Sequence, residues 1–104
     1  MVDHFAGIAA ESPPSTPHLA VELFGVPRLL TGARVVAASG ATLEELAADL
    51  VRRSPALADR VLDGRTGWPL DGYCFVVDER FTRDPTLPLR AGSSVILVAS
   101  AAGG

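Results

Sequence analysis

The sequence predicts an α+β domain, a mixed sheet of four to five strands with one main helix across one face. Two short runs, Tyr73–Val77 and Val95–Ala99, are apolar throughout, as strands covered on both faces are. Residues 18–24 alternate instead, with Leu19, Val21 and Leu23 set against Ala20 and Glu22, which marks a strand with one buried face. Between these runs, Leu43, Leu46, Ala47 and Leu50 recur at i, i+3, i+4 and i+7, the spacing of an apolar helical stripe.

Residues 1–17 come first and close on Ser12-Pro13-Pro14-Ser15-Thr16-Pro17. Three prolines without backbone donors resist both helix and sheet, so the stretch reads as a disordered Pro/Ser-rich leader. His4 and His18 lie in or beside it without other ligand types at metal spacing, and no metal site is expected. After the first strand, Gly25-Val26-Pro27-Arg28 and Thr31-Gly32 punctuate a hairpin-like return to a second short strand over residues 33–38.

Thr42 then caps a helix, and Glu45, three residues on, reaches back in a capping box. Glu44, Glu45, Ala48, Asp49 and Arg52 are expected to face away from the sheet. Carboxylates in a first turn meet the helix dipole on a solvated surface, so these three acids are not read as a general acid/base cluster. Ser54-Pro55 ends the helix and signals a second short one through Leu57 and Val61. Residues 63–69 are loop, with Trp68 as a lid over the core edge or part of a docking surface. Asp78-Glu79-Arg80 is a turn, Phe81 and Thr82 a brief edge strand, and Asp84-Pro85 and Ala91-Gly92 further turns. The domain is expected over residues 18–100, followed by a flexible tail over 101–104.

Composition narrows the function. A chain of 104 residues, 48% hydrophobic and with a formal net charge of −3, supports one core. All nine basic residues are Arg, so no ε-amine is present to form a Schiff base or accept an isopeptide bond from another copy. Mild acidity without a basic cluster argues against nucleic acid and anionic membrane as partners. Cys74 is the only cysteine, which excludes an internal disulfide, and its apolar setting suits a small buried hydrophobe. Residues 1–10 carry Asp3 and neither Lys nor Arg, unlike a secretory signal. No run approaches a membrane span, and cytoplasmic residence is the resulting expectation. With no Ser/His/Asp set, no phosphate-cradling glycine loop and no metal-ligand spacing, a stand-alone enzyme ranks last and no bound cofactor is expected.

The informative segment is Ala101-Ala102-Gly103-Gly104, directly after the last apolar run. Glycine has no Cβ, so a terminal Gly-Gly threads a slot too narrow for side chains. Four residues beyond Ser100 reach about 13 to 14 Å when extended. A carboxylate is a poor electrophile, so chemistry at Gly104 has to begin with activation by another molecule. An inert, frayed end is the competing reading. The apparent completion of a domain immediately before the tail favours a substrate passed between enzymes.

A helix packed across a small mixed sheet with the final strand in the middle is the β-grasp arrangement of ubiquitin-like domains, which this element order permits. Val21-Glu22-Leu23-Phe24-Gly25, Arg28, Gly32 and the helix entry Gly40-Ala41-Thr42-Leu43 resemble the opening of the MoaD/ThiS-type sulfur carriers. Those are the molybdopterin-synthase small subunit, the thiamin sulfur carrier and the cysteine-forming carrier. Ala91-Gly92-Ser93-Ser94-Val95-Ile96-Leu97-Val98 leading to Ala102-Gly103-Gly104 resembles their ending. The resemblance covers residues 18–104 and implies a protein co-substrate. An E1-like adenylyltransferase of the MoeB/ThiF type would spend MgATP to adenylate Gly104, and a sulfurtransferase or sulfide source would convert it to a thiocarboxylate. A downstream acceptor enzyme would then take the sulfur toward molybdopterin, cysteine or another metabolite. In the molybdopterin branch the chain would be a non-catalytic small subunit of a synthase-like complex. Gly104 would bear the reacting carbonyl, Gly103 would clear the channel, and Ala101 and Ala102 would form a slim lead.

If Val95, Leu97 and Ala99 point to the helix, Ile96 and Val98 emerge on the opposite face. Beside them stand either Cys74 and Val76 or Tyr73, Phe75 and Val77, depending on register. Ile96, Val98 and Phe75 are taken as partner-docking residues, with the leader or residues 63–71 as the alternative cover. Two other functions compete: a ubiquitin-like modifier joined through Gly104 to lysines of targets, and an interaction domain with an inert tail.

Overall fold

The alternating run folds as β1 (His18–Leu23), with Leu19, Val21 and Leu23 buried and His18, Ala20 and Glu22 exposed. The structure is a computed structural model and describes residues 16–100. β2 (Val35–Ser39) returns antiparallel to β1, pairing His18 with Ser39 and Glu22 with Val35. β5 (Val95–Ala99) lies parallel to β1 and antiparallel to β3 (Tyr73–Val77), and β4 (Arg80–Thr82) borders β3. The sheet order is therefore β2-β1-β5-β3-β4, with the last strand in the centre. The expected inner position of β5 is observed, but cover on both faces is not: Val95 and Leu97 are buried on the helix side, whereas Ile96 and Val98 are half-buried on the face that the main helix leaves open.

Between β1 and β2 the chain forms a short helix, α1 (Val26–Thr31), where sequence reading expected only turns. Pro27 lies in its first turn, and Gly32, at φ +73°, closes it by donating its N–H to the Arg28 carbonyl. Proline at the start and glycine past the end is a helix signature. Six residues were too few for an apolar period to show.

The main helix is α2 (Leu43–Arg53). Half of the expected capping box forms: Thr42 Oγ1 accepts the Glu45 N–H at 3.4 Å, while Glu45 Oε1 reaches one residue past the cap and accepts the Ala41 N–H at 2.9 Å. Leu43, Leu46, Ala47 and Leu50 are all fully buried against the sheet. Asp49 departs from expectation, because it is only 6% exposed instead of facing solvent. Its carboxylate is satisfied by the Ser39 N–H and by Arg52 and Arg53 one turn further along.

Pro55 opens only a 3-10 turn, Pro55–Leu57, not the longer second helix. The rest of residues 58–72 is a loop that turns Val61 and Leu62 into the core beside Leu57. Asp63 Oδ1 holds the loop by accepting the N–H groups of Arg65 and Thr66 at 2.8 and 2.9 Å. Those bonds also hold its carboxyl below the usual carboxylate range. Gly67, at φ +82°, passes so close to α2 that a Cβ there would lie 2.1 Å from the Ala47 carbonyl oxygen. Next to it Trp68 is half-buried, its ring 6.2 Å from that of Phe75 at 57°, so it covers the core edge as expected.

Pro17 is buried and its carbonyl accepts the Gly40 N–H at 3.2 Å. Residues 1–15 of the expected leader and the tail 101–104 lie outside the described residues.

Candidate functional site

The candidate site joins two features: the place where the chain leaves the sheet toward its C-terminus, and the sheet face that α2 does not cover. Parallel pairing of β1 and β5 sets the first, since it puts the end of β5 at the opposite end of the sheet from the start of β1. Among the described residues the last backbone tie is the Ser100 N–H to the Gly72 carbonyl at 2.7 Å. Gly72 takes φ +94° there, a conformation that favours glycine. Ala101, Ala102, Gly103 and Gly104, the residues expected to carry the chemistry, follow this tie and lie outside the described residues.

Register decides the second feature. Phe75 pairs with Leu97 and Cys74 with Val98, so β3 meets β5 with Phe75 on the helix side. Phe75 is fully buried beneath α2 and is not a docking residue, which corrects the sequence expectation. Cys74 and Val76 are the residues that share a face with Ile96 and Val98. Following the pairs across the sheet gives a single outward row: Val35, Glu22, Ile96, Val76 and Phe81. A second row begins at Phe24, whose N–H donates to the Leu97 carbonyl at 3.3 Å, and continues through Val98 and Cys74.

This face is apolar for residues that meet solvent. Phe81 is 72% exposed, Val35 49% and Phe24 46%, with Ile96, Val76 and Val98 half-buried between them. Glu22 is the only charged residue in the outward row. At the end of the sheet where β5 finishes, α1 packs against that strand, and its Leu29, 81% exposed, and Val26, 44% exposed, also meet solvent. Sequence reasoning missed Phe24, Phe81 and Leu29. Phe81 was recoverable from strand parity once β4 was paired, whereas Leu29 depended on a helix too short to signal itself.

The opposite end of β5 is set by a tight reciprocal contact: Asp78 donates its N–H to the Ser94 carbonyl and accepts the Ser94 N–H, both at 2.9 Å. Asp78 and Glu79 both take positive φ, 50° and 71°, as the two-residue β3–β4 turn requires. Among the described residues no three His, Cys, Asp or Glu side chains converge, and no helix is long and apolar enough to cross a membrane. The arrangement presents an exposed apolar sheet face and a last strand that ends opposite the start of β1.

A model of the ThiS family matches residues 21–104. Among solved structures, the crystal structure of small archaeal modifier protein 1 from Haloferax volcanii superposes with a TM-score of 0.69 at 24% identity, covering 84% of this chain and 99% of that one. A second crystal structure of the Haloferax protein gives 0.66 at 25% identity, covering 78% and 94%. The solution structure of small archaeal modifier protein 1 from Methanosarcina acetivorans gives 0.71 at 15% identity, covering 86% and 98%. No curated protein sequence matches the chain at the significance required.

Proposed function

The chain belongs to the ThiS family, and on that premise we propose that it is a sulfur carrier whose Gly104 carboxylate is activated by one enzyme and discharged by another. A carboxylate oxygen of Gly104 attacks the α-phosphorus of MgATP in an E1-like adenylyltransferase, pyrophosphate leaves, and an acyl-adenylate forms. A sulfide equivalent from a sulfurtransferase or free sulfide adds to the acyl carbon, AMP leaves, and a thiocarboxylate remains. Its sulfur is a better nucleophile than carboxylate oxygen: in a downstream acceptor enzyme it bonds to an electrophilic carbon of that enzyme's substrate, and water then cleaves the acyl–sulfur bond, leaving the sulfur on the product and an oxygen of the water in the regenerated Gly104 carboxylate. Gly103 clears the channel, Ala101 and Ala102 form the lead, and Ile96 and Val98 sit at the centre of the docking face in place of Phe75.

The observation that carries this reading is the family match running through Gly104, with the last strand in the centre of the sheet and directed toward those residues. Molybdopterin, cysteine and other sulfur metabolites are the products this chemistry can serve. The test is incubation with an E1-like adenylyltransferase from the same genome, MgATP and sulfide, followed by intact-mass measurement. One oxygen-to-sulfur exchange at the C-terminus is expected, and an unchanged mass beside a partner shown to be active overturns the reading.

A second reading draws on the printed name of the Haloferax relative, a modifier protein at 25% identity. Here the activated Gly104 acylates lysines of target proteins. Gly104-dependent ladders on a denaturing blot of cells are its signature, and they would be lost on deleting Gly103 and Gly104.

A further inference from the structure

The short helix α1 stands beside the point where the chain leaves the sheet for its C-terminus. β1 and β5 run parallel, with Leu23 paired to Leu97 and the Phe24 N–H on the Leu97 carbonyl. Both strands therefore finish at one end of the sheet, β1 turning through Gly25 into α1 while β5 runs on to Ser100. We propose that Leu29 of α1 is a docking residue for the enzyme that activates Gly104, received by an apolar pocket of that enzyme. The inference rests on the sulfur-carrier reading and adds to it a contact outside the strands.

The length of the tail fixes the occupant. However it is arranged, Ala101 to Gly104 carries its carboxylate no more than about 13 to 14 Å from Ser100. An enzyme that brings the α-phosphorus of MgATP to a Gly104 oxygen has its surface within that radius, and any depth of its channel draws the rim closer still. Counting three residues on from the Leu23 and Leu97 pair sets Val26, the first residue of α1, level with Ser100. Leu29 follows one turn later, about 4.5 Å along the helix axis. Packing on β5 and on the 3-10 turn Pro55–Leu57 holds the helix there, so Leu29 lies closer to Ser100 than the tail is long.

The fold itself does not need Leu29 to be apolar. Pro27 is buried and Leu30 packs against the core, and these two residues anchor α1. Leu29 is 81% exposed, the highest exposure among the large apolar side chains of the described residues. Val26, 44% exposed, stands three residues before it on the same side of the helix and extends the apolar patch. A leucine left in water beside a chain end that an enzyme has to approach gains its burial when that enzyme arrives.

The test is steady-state adenylation of the full chain by an E1-like adenylyltransferase from the same genome, followed as ATP–pyrophosphate exchange against carrier concentration. Leu29→Ala is expected to keep the thermal midpoint and kcat of the wild type while KM for the carrier rises at least about fivefold, as when a leucine loses its burial in a contact made equally before and during the reaction. Leu29→Met, which keeps the apolar bulk, should restore most of the lost affinity. An unchanged KM in Leu29→Ala, or a fall in kcat alone, overturns the inference and leaves the sulfur-carrier reading standing. A wild-type chain that an active enzyme fails to adenylate overturns both.

Discussion

Asp49 Oδ2 accepts the backbone N–H of Ser39 at 2.8 Å, so a side chain from the middle of α2 holds the last residue of β2. Arg53 donates to the same oxygen at 2.7 Å and Arg52 to the other. Burial raises the Asp49 carboxyl, but the Ser39 bond and the two guanidinium groups outweigh it and hold the group below its ordinary value of 3.8. A carboxyl lowered in the folded state stabilises the fold above its unfolded pKa and loses that contribution as pH falls through the folded value. Asp49→Ala, which strands the Ser39 N–H, is expected to cost about 1 to 3 kcal/mol at neutral pH. Urea midpoints at pH 7 and pH 3 check this: the wild type should approach the variant in acid, and a constant gap would exclude the ionised carboxylate as the cause.

Much of this fold was legible in the sequence because local and global signals agreed. Thr42 and Glu45 announced the helix, the parity of Leu19, Val21 and Leu23 gave the buried face of β1, and the apolar run at Val95 marked an inner strand. What stayed hidden depended on partners. Whether Phe75 or Cys74 faces outward is a matter of one residue of register, and a one-residue slip exchanges the two faces. Asp49 sits beside the apolar stripe of α2, and only the Ser39 N–H and two arginines across the turn make its burial tolerable. Ile96 and Val98 followed from alternation alone and were placed correctly on the uncovered face.

The two strands that meet at the centre of the sheet therefore predict opposite phenotypes for adjacent layers. Phe75→Ala empties the core and is expected to cost about 3 to 5 kcal/mol, read as a lowered denaturation midpoint. Ile96→Glu places a charge at the centre of the apolar face and should leave that midpoint almost unchanged. Its effect belongs in the activation assay, where apparent KM for the carrier is expected to rise at least about tenfold, as for a central interface residue. Equal loss of stability in both variants would remove the case for Ile96 as a docking residue.

Gly67 is the joint that lets the loop lie against α2. Alanine there meets both an unfavourable positive φ and the Ala47 carbonyl oxygen, 2.1 Å from the added Cβ. Because the obstacle is backbone, the loop itself must move, and Gly67→Ala is expected to cost about 2 to 4 kcal/mol. Gly92 has open space around its Cβ position and no positive φ, so Gly92→Ala is the matched control and should be nearly neutral. Thermal denaturation of the pair, with Trp68 fluorescence as a local probe, separates the two.

The absence of lysine yields the last prediction. An acyl-adenylate at Gly104 is an electrophile, and a carrier bearing surface amines would acylate its own copies whenever the sulfur donor is scarce. Every basic side chain here is Arg, whose delocalised guanidinium is not a competent nucleophile. With activating enzyme, MgATP and no sulfur donor, concentrated carrier should form no covalent dimer through a side chain, and blocking the N-terminal α-amine should remove any adduct that does appear. Arg65→Lys, at an exposed loop position, should introduce dimers that mass spectrometry maps to residue 65. Side-chain-linked dimers of the wild type would show that a different nucleophile captures the activated end, and dimers missing from the Arg65→Lys variant would show that the activated end never becomes accessible to a second copy.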